Sequence, residues 1–241
     1  MDGTEILVAR GMRRAFGGIV AVANVSLSVR SGEVLGLIGP NGSGKSTLLN
    51  LLTGTLTADA GEIILDGRDL TSRVPYERAR RGVVRLFQQS RIFPSLTLQE
   101  NLRVIAGGTS DETARVLLQK VGLLDRLEDL AGELSYGQQR LLEFTRVLAL
   151  KPRVVLLDEP TAGVHPKIVE TMRSLIAELR EDNAAIIIVE HNVEFIASLA
   201  DRLMGLADGK VIADGSPEEV LRNPELIAAY FGDGTASTHA A

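Results

Sequence analysis

The sequence predicts a mixed α/β fold, with a parallel sheet at its core, an antiparallel sheet beside it and a helical segment inserted into it. Short, wholly apolar runs at 154–157 and 184–189 are typical of strands buried on both faces of a parallel sheet. Residues 20–29 alternate instead between apolar and polar side chains, which indicates a half-buried antiparallel strand. From 89 to about 149 the apolar spacing becomes helical and strand patterns vanish, which indicates the inserted segment.

The same patterns predict the remaining elements in order along the chain. A turn is expected at 13–18, and the Asp208–Gly209 pair predicts a hairpin turn. Residues 232–241 are small and polar, and we expect this tail to be disordered. The predicted strands are 5–9, 20–29, 34–38, 62–66, 82–87, 154–157, 184–189, 203–207 and 210–213, and the predicted helices include 97–105, 112–121, 135–148, 167–181, 193–200 and 217–230.

Composition and charge exclude several classes of protein. The chain of 241 residues contains no cysteine, so disulfide bonds and thiolate metal sites are excluded. The formal net charge of −5 argues against a general nucleic-acid binder, which usually has an excess of basic residues. No apolar run reaches the roughly 20 residues of a membrane span, and the N-terminus has no signal-peptide pattern. We therefore expect a cytoplasmic protein whose membrane role comes through a partner.

The segment 39–47 lies between an apolar strand and an apolar helix and fits the pattern G-x-x-x-x-G-K-[ST], a P-loop. Its glycines let backbone N–H groups turn inward around a phosphate chain, and the helix N-terminus favours the same anion. Lys45 is expected to reach the β- and γ-phosphates, and the Ser46 hydroxyl to bind Mg²⁺. The predicted ATP-binding residues are Gly39, Pro40, Asn41, Gly42, Ser43, Gly44, Lys45, Ser46 and Thr47.

Three further predicted strands end in residues that can do chemistry, and the carboxyl ends of parallel strands open into one crevice. Asp158 suits the water-mediated shell of Mg²⁺, and Glu159 is placed to polarise an attacking water. Gln88 offers an amide oxygen to the metal, and His191 can donate a hydrogen bond to the γ-phosphate. Taken singly, a glutamine or histidine after a strand is usually only a loop residue. The predicted catalytic residues are Glu159, His191 and Lys45, and the predicted metal ligands are Ser46, Gln88 and Asp158.

Two other features admit both a functional and a purely structural interpretation. Ser135 and Gln138 form an S-x-x-Q capping box at the start of a helix, and such an N-terminus is also an anion site. Taken alone, the pattern favours an ordinary capped helix. Phe16, in the turn predicted between the first two strands, suits stacking against an adenine base, or it only anchors its own hairpin.

In order and spacing, these motifs resemble those of the ATP-binding subunit of an ABC transporter over essentially residues 5–231. The resemblance makes 39–47 the Walker A motif, 154–158 the Walker B motif and Gln88 the Q-loop residue. It also makes Glu159 the catalytic glutamate and His191 the switch histidine. Phe16 matches the aromatic position that contacts adenine. The signature motif is then Leu134, Ser135, Tyr136, Gly137 and Gln138.

Four segments resemble more closely the ATPases of branched-chain amino acid importers: 14–18, 136–140, 159–163 and 189–193, together with 224–230 near the end. Two residues depart from the usual ABC pattern. Tyr136 replaces the first glycine of LSGGQ, as it often does in this subgroup. His165 stands where aspartate or asparagine is common, which puts one contact across the dimer in question. The helical segment is also short for one of the two importer ATPase types.

The resemblance implies a RecA-like P-loop NTPase core with an antiparallel β subdomain and an inserted α-helical subdomain, all in one ATPase domain over 5–231. It implies ATP and Mg²⁺ as cofactors and a head-to-tail dimer with a second ABC ATPase subunit, identical or similar. In that dimer, the signature of one copy contacts the ATP of the other. Transmembrane permease subunits and a solute-binding protein are further implied partners, nucleic acid is not, and the location is peripheral, at the cytoplasmic face of the cell membrane.

Several alternatives remain at this stage. An ABC ATPase for another substrate, such as urea import or lipopolysaccharide export, fits the same motifs, because substrate selection lies in other subunits. A soluble ABC protein of translation or DNA repair typically has tandem cassettes or long coiled-coil inserts, and the sequence has neither. A P-loop kinase is disfavoured by the second anion-binding helix and by the water-activating Glu159.

Overall fold

The computed structural model describes residues 4–105 and 108–231, with only the backbone of Phe231. The expected disordered tail, 232–241, lies outside these residues. The strands are β1 (Glu5–Phe16), β2 (Ile19–Arg30), β3 (Val34–Ile38), β4 (Ala60–Leu65), β5 (Arg68–Asp69), β6 (Val83–Leu86), β7 (Val154–Asp158), β8 (Ala185–Val189), β9 (Arg202–Ala207) and β10 (Lys210–Gly215). The helices are α1 (Lys45–Thr53), α2 (Pro75–Arg80), α3 (Leu98–Arg103), α4 (Asp111–Lys120), α5 (Tyr136–Ala149), α6 (Pro166–Glu181), α7 (Val193–Ala197), α8 (Pro217–Leu221) and α9 (Pro224–Phe231).

The core of the described chain is a six-stranded sheet in the order β10-β9-β3-β8-β7-β6. Its strands pair in parallel except for β10, which pairs antiparallel with β9 through the predicted Asp208–Gly209 hairpin. Every residue of β3, β7 and β8 is buried, because helices and the second sheet cover both faces. The predicted parallel core is therefore confirmed.

A four-stranded antiparallel sheet, ordered β2-β1-β4-β5 within the described residues, packs beside this core. Helix α1 lies between the two sheets. The apolar side chains of Leu7, Val25, Leu35, Leu48 and Ile187 belong to the cluster that joins the sheets to α1. The predicted two-sheet arrangement is thus correct, and burial of this shared cluster fixes the strand–loop–helix unit at its centre.

The inserted helices α3, α4 and α5 pack with one another and against α6. Their core contains Leu102, Leu118, Leu142, Phe144 and Met172. The predicted inward face of α5 is buried as expected, with Leu141, Phe144, Thr145 and Leu148 all at 6% exposure or less. The expected capping box opens α3, where Thr97 Oγ1 accepts from the N–H of Glu100 at 3.2 Å and Glu100 Oε2 accepts from Thr97 N–H at 2.8 Å.

Some predicted boundaries are wrong. The turn expected at 13–18 is strand as far as Phe16, because Phe16 pairs with Ile19, and only Gly17 and Gly18 turn. The helix expected at 217–230 is two helices. Pro224 begins the second helix, since proline suits the first turn and not a helix interior, and Asn223 Oδ1 accepts from Leu226 N–H at 3.0 Å.

Helix α7 ends at Ala197 instead of residue 200. The Ser198 hydroxyl donates to the carbonyl of Phe195 at 2.7 Å and competes with helix continuation. Within the described part of the chain, no helix is both long and apolar enough to cross a membrane.

Candidate active site

The P-loop follows β3 directly and leads into α1, and its glycines are required by close backbone packing. Gly39 has φ +148° and Gly44 has φ +105°, conformations that other residues rarely adopt. A Cβ atom at Gly39 would lie 2.1 Å from the carbonyl oxygen of Leu206, and one at Gly44 would lie 2.4 Å from that of Ala21. The loop is therefore held tightly against β9 and β2, in a shape that only glycine permits at these two positions.

Lys45 is buried at the start of α1 and points back into the loop. Its Nζ donates to the carbonyl oxygens of Gly39 at 2.7 Å and Pro40 at 2.9 Å. Burial lowers the pKa of Lys45 below its ordinary 10.5, and the negative charges of Glu159 and Asp158 oppose this shift. The ammonium group is thus only weakly solvated, and it gains strongly from an anionic phosphate placed beside it.

Glu159 lies at the centre of the candidate site, between the two residues predicted from neighbouring strand ends. Its Oε2 accepts from Gln88 Nε2 at 2.7 Å, and its Oε1 is 2.9 Å from His191 Nε2. The backbone of Glu159 has φ +45°, in the left-handed region that costs energy for a non-glycine residue. The surrounding structure therefore holds this carboxylate in a conformation that the isolated chain disfavours.

The carboxylate of Asp158 faces a guanidinium group that the sequence patterns did not single out. Arg85 Nη2 donates to Asp158 Oδ2 at 2.5 Å, and Arg85 Nη1 donates to Asn50 Oδ1 at 2.6 Å. Both charged side chains are nearly buried, at 6% and 10% exposure. Arg85 thus joins β6, β7 and α1. A charged residue within an otherwise apolar strand, 83–86, was the sequence signal that could have revealed it.

A cavity of about 160 Å³ brings nine of the predicted residues together. It is lined by Ala21, by the P-loop from Asn41 to Thr47, and by Glu159 and His191. A larger cavity of about 560 Å³ lies at the opposite, N-terminal edge of β3, beside Arg180 and Asp201. These two residues already form an ion pair at 2.6 Å, so the smaller cavity is the better candidate for chemistry.

Phe16 lies apart from this cavity lining, at the end of β1. Its ring is 42% exposed, and the guanidinium carbon of Arg14 lies 4.9 Å from the ring centroid. Arg14 is itself held by the carbonyl of Thr57 and by Asp59 Oδ1, each at 3.0 Å. The ring therefore projects from a rigid strand end, with a cation against it and much of its surface open.

The predicted signature residues, 134–138, also lie apart from the cavity, since none of them is among its described lining residues. Ser135 caps α5 as expected: its Oγ accepts from Gln138 N–H at 3.4 Å, and Gln138 Oε1 accepts from Ser135 N–H at 3.0 Å. Tyr136, at the start of the helix, is 44% exposed. The N-terminus of α5 is thus formed and accessible, but its residues are not among the described lining of this chain's own P-loop cavity.

His165 caps a helix within its own chain. Its Nδ1 accepts from the N–H of Lys167 at 3.3 Å, at the start of α6. In the described residues, no cluster of three or more histidine, cysteine, aspartate or glutamate side chains could hold a metal ion. The predicted ligands are instead a hydroxyl, an amide and one carboxylate, all oxygen donors of the kind that Mg²⁺ takes together with substrate phosphates.

A P-loop at the carboxyl edge of a parallel sheet, with a carboxylate and a histidine supplied by neighbouring strand ends, defines a P-loop nucleoside triphosphatase. The chain matches the family profile described as "ABC transporter" over residues 22–162, and the one described as "Branched-chain amino acid ATP-binding cassette transporter" over 210–236. This chain therefore belongs to the ABC transporter family, as one of its nucleotide-binding, ATP-hydrolysing cassettes.

Relatives of known identity agree with this assignment. The high-affinity branched-chain amino acid transport ATP-binding protein BraF of Pseudomonas aeruginosa is 38% identical, over 95% of this chain and 98% of its own. LivG of Escherichia coli, with the same description, is 36% identical over the same shares. The lipopolysaccharide export system ATP-binding protein LptB of Haemophilus influenzae is 34% identical, again over 95% and 98%.

Solved structures confirm the predicted fold. An ATP-binding cassette of an ABC transporter, solved in its ADP conformation, superposes with a TM-score of 0.86 at 33% identity. The superposition covers 95% of this chain and 100% of the solved chain. A nucleotide-free cassette of an ABC transporter gives the same TM-score and identity. The expected class of protein, the P-loop core and the ATPase activity are thus borne out.

Proposed function

We propose that this chain hydrolyses ATP to power a membrane transporter that imports branched-chain or similar hydrophobic amino acids. Two relatives at 36–38% identity are described as branched-chain amino acid transport ATP-binding proteins, and the segment 210–236 matches the family profile described as "Branched-chain amino acid ATP-binding cassette transporter". In this proposal, residues 5–231 form the ATPase domain. It binds at the cytoplasmic face of the membrane through transmembrane permease subunits, and a solute-binding protein delivers the amino acid to them.

The observation that carries the proposed mechanism is the position of Glu159, whose two carboxylate oxygens are 2.7 Å from Gln88 and 2.9 Å from His191. A carboxylate held this way beside the P-loop cavity is placed to accept a proton from a water that attacks the γ-phosphate. His191 would donate a hydrogen bond to the phosphate, and Lys45 would neutralise its charge. Phe16 would stack on the adenine.

The residues present also fit a magnesium ion. Ser46 lines the cavity, Asp158 ends β7, and Gln88 follows β6, which is the neighbour of β7 in the sheet. Together they offer the hydroxyl, carboxylate and amide oxygens that suit a hard cation. Bound there, Mg²⁺ would neutralise charge on the phosphates. Arg85, paired to Asp158, would keep that carboxylate oriented toward the phosphates.

A second cassette would complete the site. Ser135 and Tyr136 are exposed at the N-terminus of α5, and no signature residue is among the described lining of the cavity, so we expect one chain to offer only half of the phosphate contacts. A head-to-tail partner would bring its own Ser135–Gln138 helix end onto the γ-phosphate. ATP would then bridge the two subunits, and hydrolysis would remove the contact.

Helix α5 is well placed to couple the association and separation of the two cassettes to the membrane subunits. Arg140 Nη1 donates to the carbonyl of Phe87 at 2.6 Å, and Glu143 accepts from the N–H of Arg91. The backbone on both sides of Gln88 is therefore tied to the helix whose N-terminus carries the signature. A permease that moves the helical segment would move Gln88, and with it the contact to Glu159.

The test is uptake of radiolabelled leucine by cells that lack this chain and are complemented with either the wild-type protein or the Glu159→Gln variant. We expect the wild type to restore uptake and the variant to fail although it is present at the membrane. Equal leucine uptake with and without the chain would contradict the amino acid proposal. Lipopolysaccharide export, suggested by the 34% identity to LptB, is the second candidate. Loss of lipopolysaccharide at the cell surface with unchanged leucine uptake would favour it.

A further inference from the structure

Glu190 precedes His191 and is 4% exposed, yet the motifs of the site leave its side chain without a role. We propose that Glu190 is a positioning residue that holds the Glu159 loop and the His191 loop together as one rigid unit. Thr161, which lies two residues after Glu159, is its partner on the other loop. The inference rests on the proposed roles of Glu159 and His191 and extends them.

The contacts of the Glu190 carboxylate divide evenly between the two loops. Its Oε1 accepts from the backbone N–H of Thr161 at 2.9 Å and from the Thr161 hydroxyl at 2.5 Å. Its Oε2 accepts from the backbone N–H of His191 at 3.0 Å and, more weakly, from that of Asn192 at 3.4 Å. A single buried side chain therefore bridges the segments that follow β7 and β8.

Only a carboxylate satisfies all of these donors. Both of its oxygens are acceptors, whereas an amide has one acceptor and one NH₂ donor. In a Glu190→Gln variant, the NH₂ group would face N–H donors of one loop or the other, whichever way the amide is turned. At least one loop would then lose its contact and leave donors unpaired in a buried position.

The bridge matters because Glu159 needs outside support. Its backbone has φ +45°, and its own N–H donates to the carbonyl of Val189 at 2.9 Å, just before Glu190. The 2.9 Å contact between Glu159 and His191 spans the same two loops. If the loops separate, the carboxylate and the imidazole lose their common alignment on the phosphate, and a misplacement of about 1 Å costs on the order of 100-fold in rate.

The experiment compares the steady-state kinetics and ATP affinity of Glu190→Gln, Thr161→Val and Thr161→Ser in the full chain. We expect kcat to fall about 10- to 100-fold in Glu190→Gln and about 3- to 10-fold in Thr161→Val, while the Kd for ATP stays within about twofold. Thr161→Ser keeps the hydroxyl and should restore most of the rate. Thr171→Val, which removes an exposed hydroxyl bonded within α6, is the matched control and should leave both constants unchanged.

A second comparison separates positioning from general destabilisation. If Glu190 acts through Glu159, adding Glu190→Gln to the Glu159→Gln variant should lower its residual rate less than twofold, because residues that act as a unit are not additive. Wild-type kcat per folded molecule in either Glu190→Gln or Thr161→Val would overturn the inference. A fall of the same size in kcat and in ATP affinity would overturn it as well.

The Glu159→Gln variant also distinguishes a failure of this inference from a failure of the proposed site. Wild-type turnover in Glu159→Gln would mean that the proposed site is wrong. An inactive Glu159→Gln combined with an unimpaired Thr161→Val would leave the site standing and remove only the role of Glu190. Thr161→Val removes only the hydroxyl that donates to Glu190, so this comparison holds even if Glu190→Gln fails to fold.

Discussion

The hydroxyl oxygen of Tyr230, on the last described helix, accepts a hydrogen bond of 2.7 Å from the backbone N–H of Gly39, the first residue of the P-loop. The two residues are 191 positions apart in the chain. Burial raises the pKa of Tyr230, and the hydrogen bond from Gly39 opposes that shift. Helix α9 thus contacts the start of the P-loop through Tyr230, whose hydroxyl oxygen is an acceptor for the Gly39 N–H.

Tyr230→Phe should weaken nucleotide binding by about two- to tenfold, because a net hydrogen bond is worth roughly 0.5–1.5 kcal/mol and the Gly39 N–H would be left unpaired. Titration with a fluorescent ATP analogue measures the change. Tyr76→Phe removes a hydroxyl from a side chain that is 65% exposed and serves as the control. An ATP affinity equal to that of the control would mean that the contact does not order the P-loop.

Glu159→Gln should lower kcat by about 10²–10⁴-fold, the usual contribution of a general base, while ATP binding persists. The amide keeps the shape of the side chain but cannot accept the proton from water. Phosphate release measures turnover, and size exclusion with ATP tests whether the variant accumulates as a dimer. Turnover at the wild-type rate would refute the assignment of Glu159 as the base.

The affinity for ATP should depend on pH through Lys45. Burial places the pKa of the free protein's Lys45 below 10.5, and an anionic phosphate stabilises the charged form, so binding raises that pKa. The affinity for ATP is therefore greatest below the pKa of Lys45 in the free protein, and it falls as the pH rises through that pKa. Between the free-state pKa and the higher pKa of the bound state, ATP binding takes up a proton. Calorimetric titration in buffers of different ionisation enthalpy measures the uptake.

Lys45→Ala provides the control for the pH series. It should bind ATP more weakly at every pH and lack the alkaline fall that the wild type shows. An unchanged ATP affinity in this variant would argue against the P-loop assignment. An alkaline fall that persists in the variant would assign the titration to another group.

Arg85→Ala should destabilise the fold by about 3–5 kcal/mol, because it leaves the buried carboxylate of Asp158 without its cation. Urea denaturation measures the free energy of unfolding. Arg10→Ala removes an exposed ion pair with Glu62, at 60% and 49% exposure, and should cost less than about 1 kcal/mol. Combining Arg85→Ala with Asp158→Asn should recover part of the lost stability. Equal losses of stability in Arg85→Ala and Arg10→Ala would contradict the argument from the buried pair.

Phe16→Ala should weaken the binding of ATP but leave that of inorganic triphosphate unchanged, since the contact that we propose for the ring is with the base alone. A stacked aromatic pair contributes roughly 0.5–1.5 kcal/mol, so the expected loss is about two- to tenfold. Phe16→Tyr keeps the aromatic face and is the matched control. An equal loss for ATP and triphosphate would show that Phe16 supports the hairpin instead of the adenine.

The local motifs were predictable because each depends on a short stretch of chain. The capping box at Ser135, the hairpin turn at Asp208–Gly209 and the positive φ angles of the P-loop glycines follow from backbone geometry within a few residues. The predicted boundaries at Phe16 and at Pro224 were wrong because another interaction overrode the local sequence pattern at each of them. Cross-strand pairing extended β1 beyond its apolar pattern, and proline divided a region whose helical spacing continued across it.

The sequence by itself determined the class of chemistry. Gly39 to Thr47, Gln88, the Asp158–Glu159 pair and His191 indicate ATP hydrolysis through their residue types and through the rule that parallel strand ends share one edge. Only the tertiary structure decided what supports those groups: Arg85 beside Asp158, Glu190 beneath the two catalytic loops, and Tyr230 against Gly39. These contacts join residues from 29 to 191 positions apart. Such pairings leave no periodicity in the sequence, because they are set by how the whole chain packs.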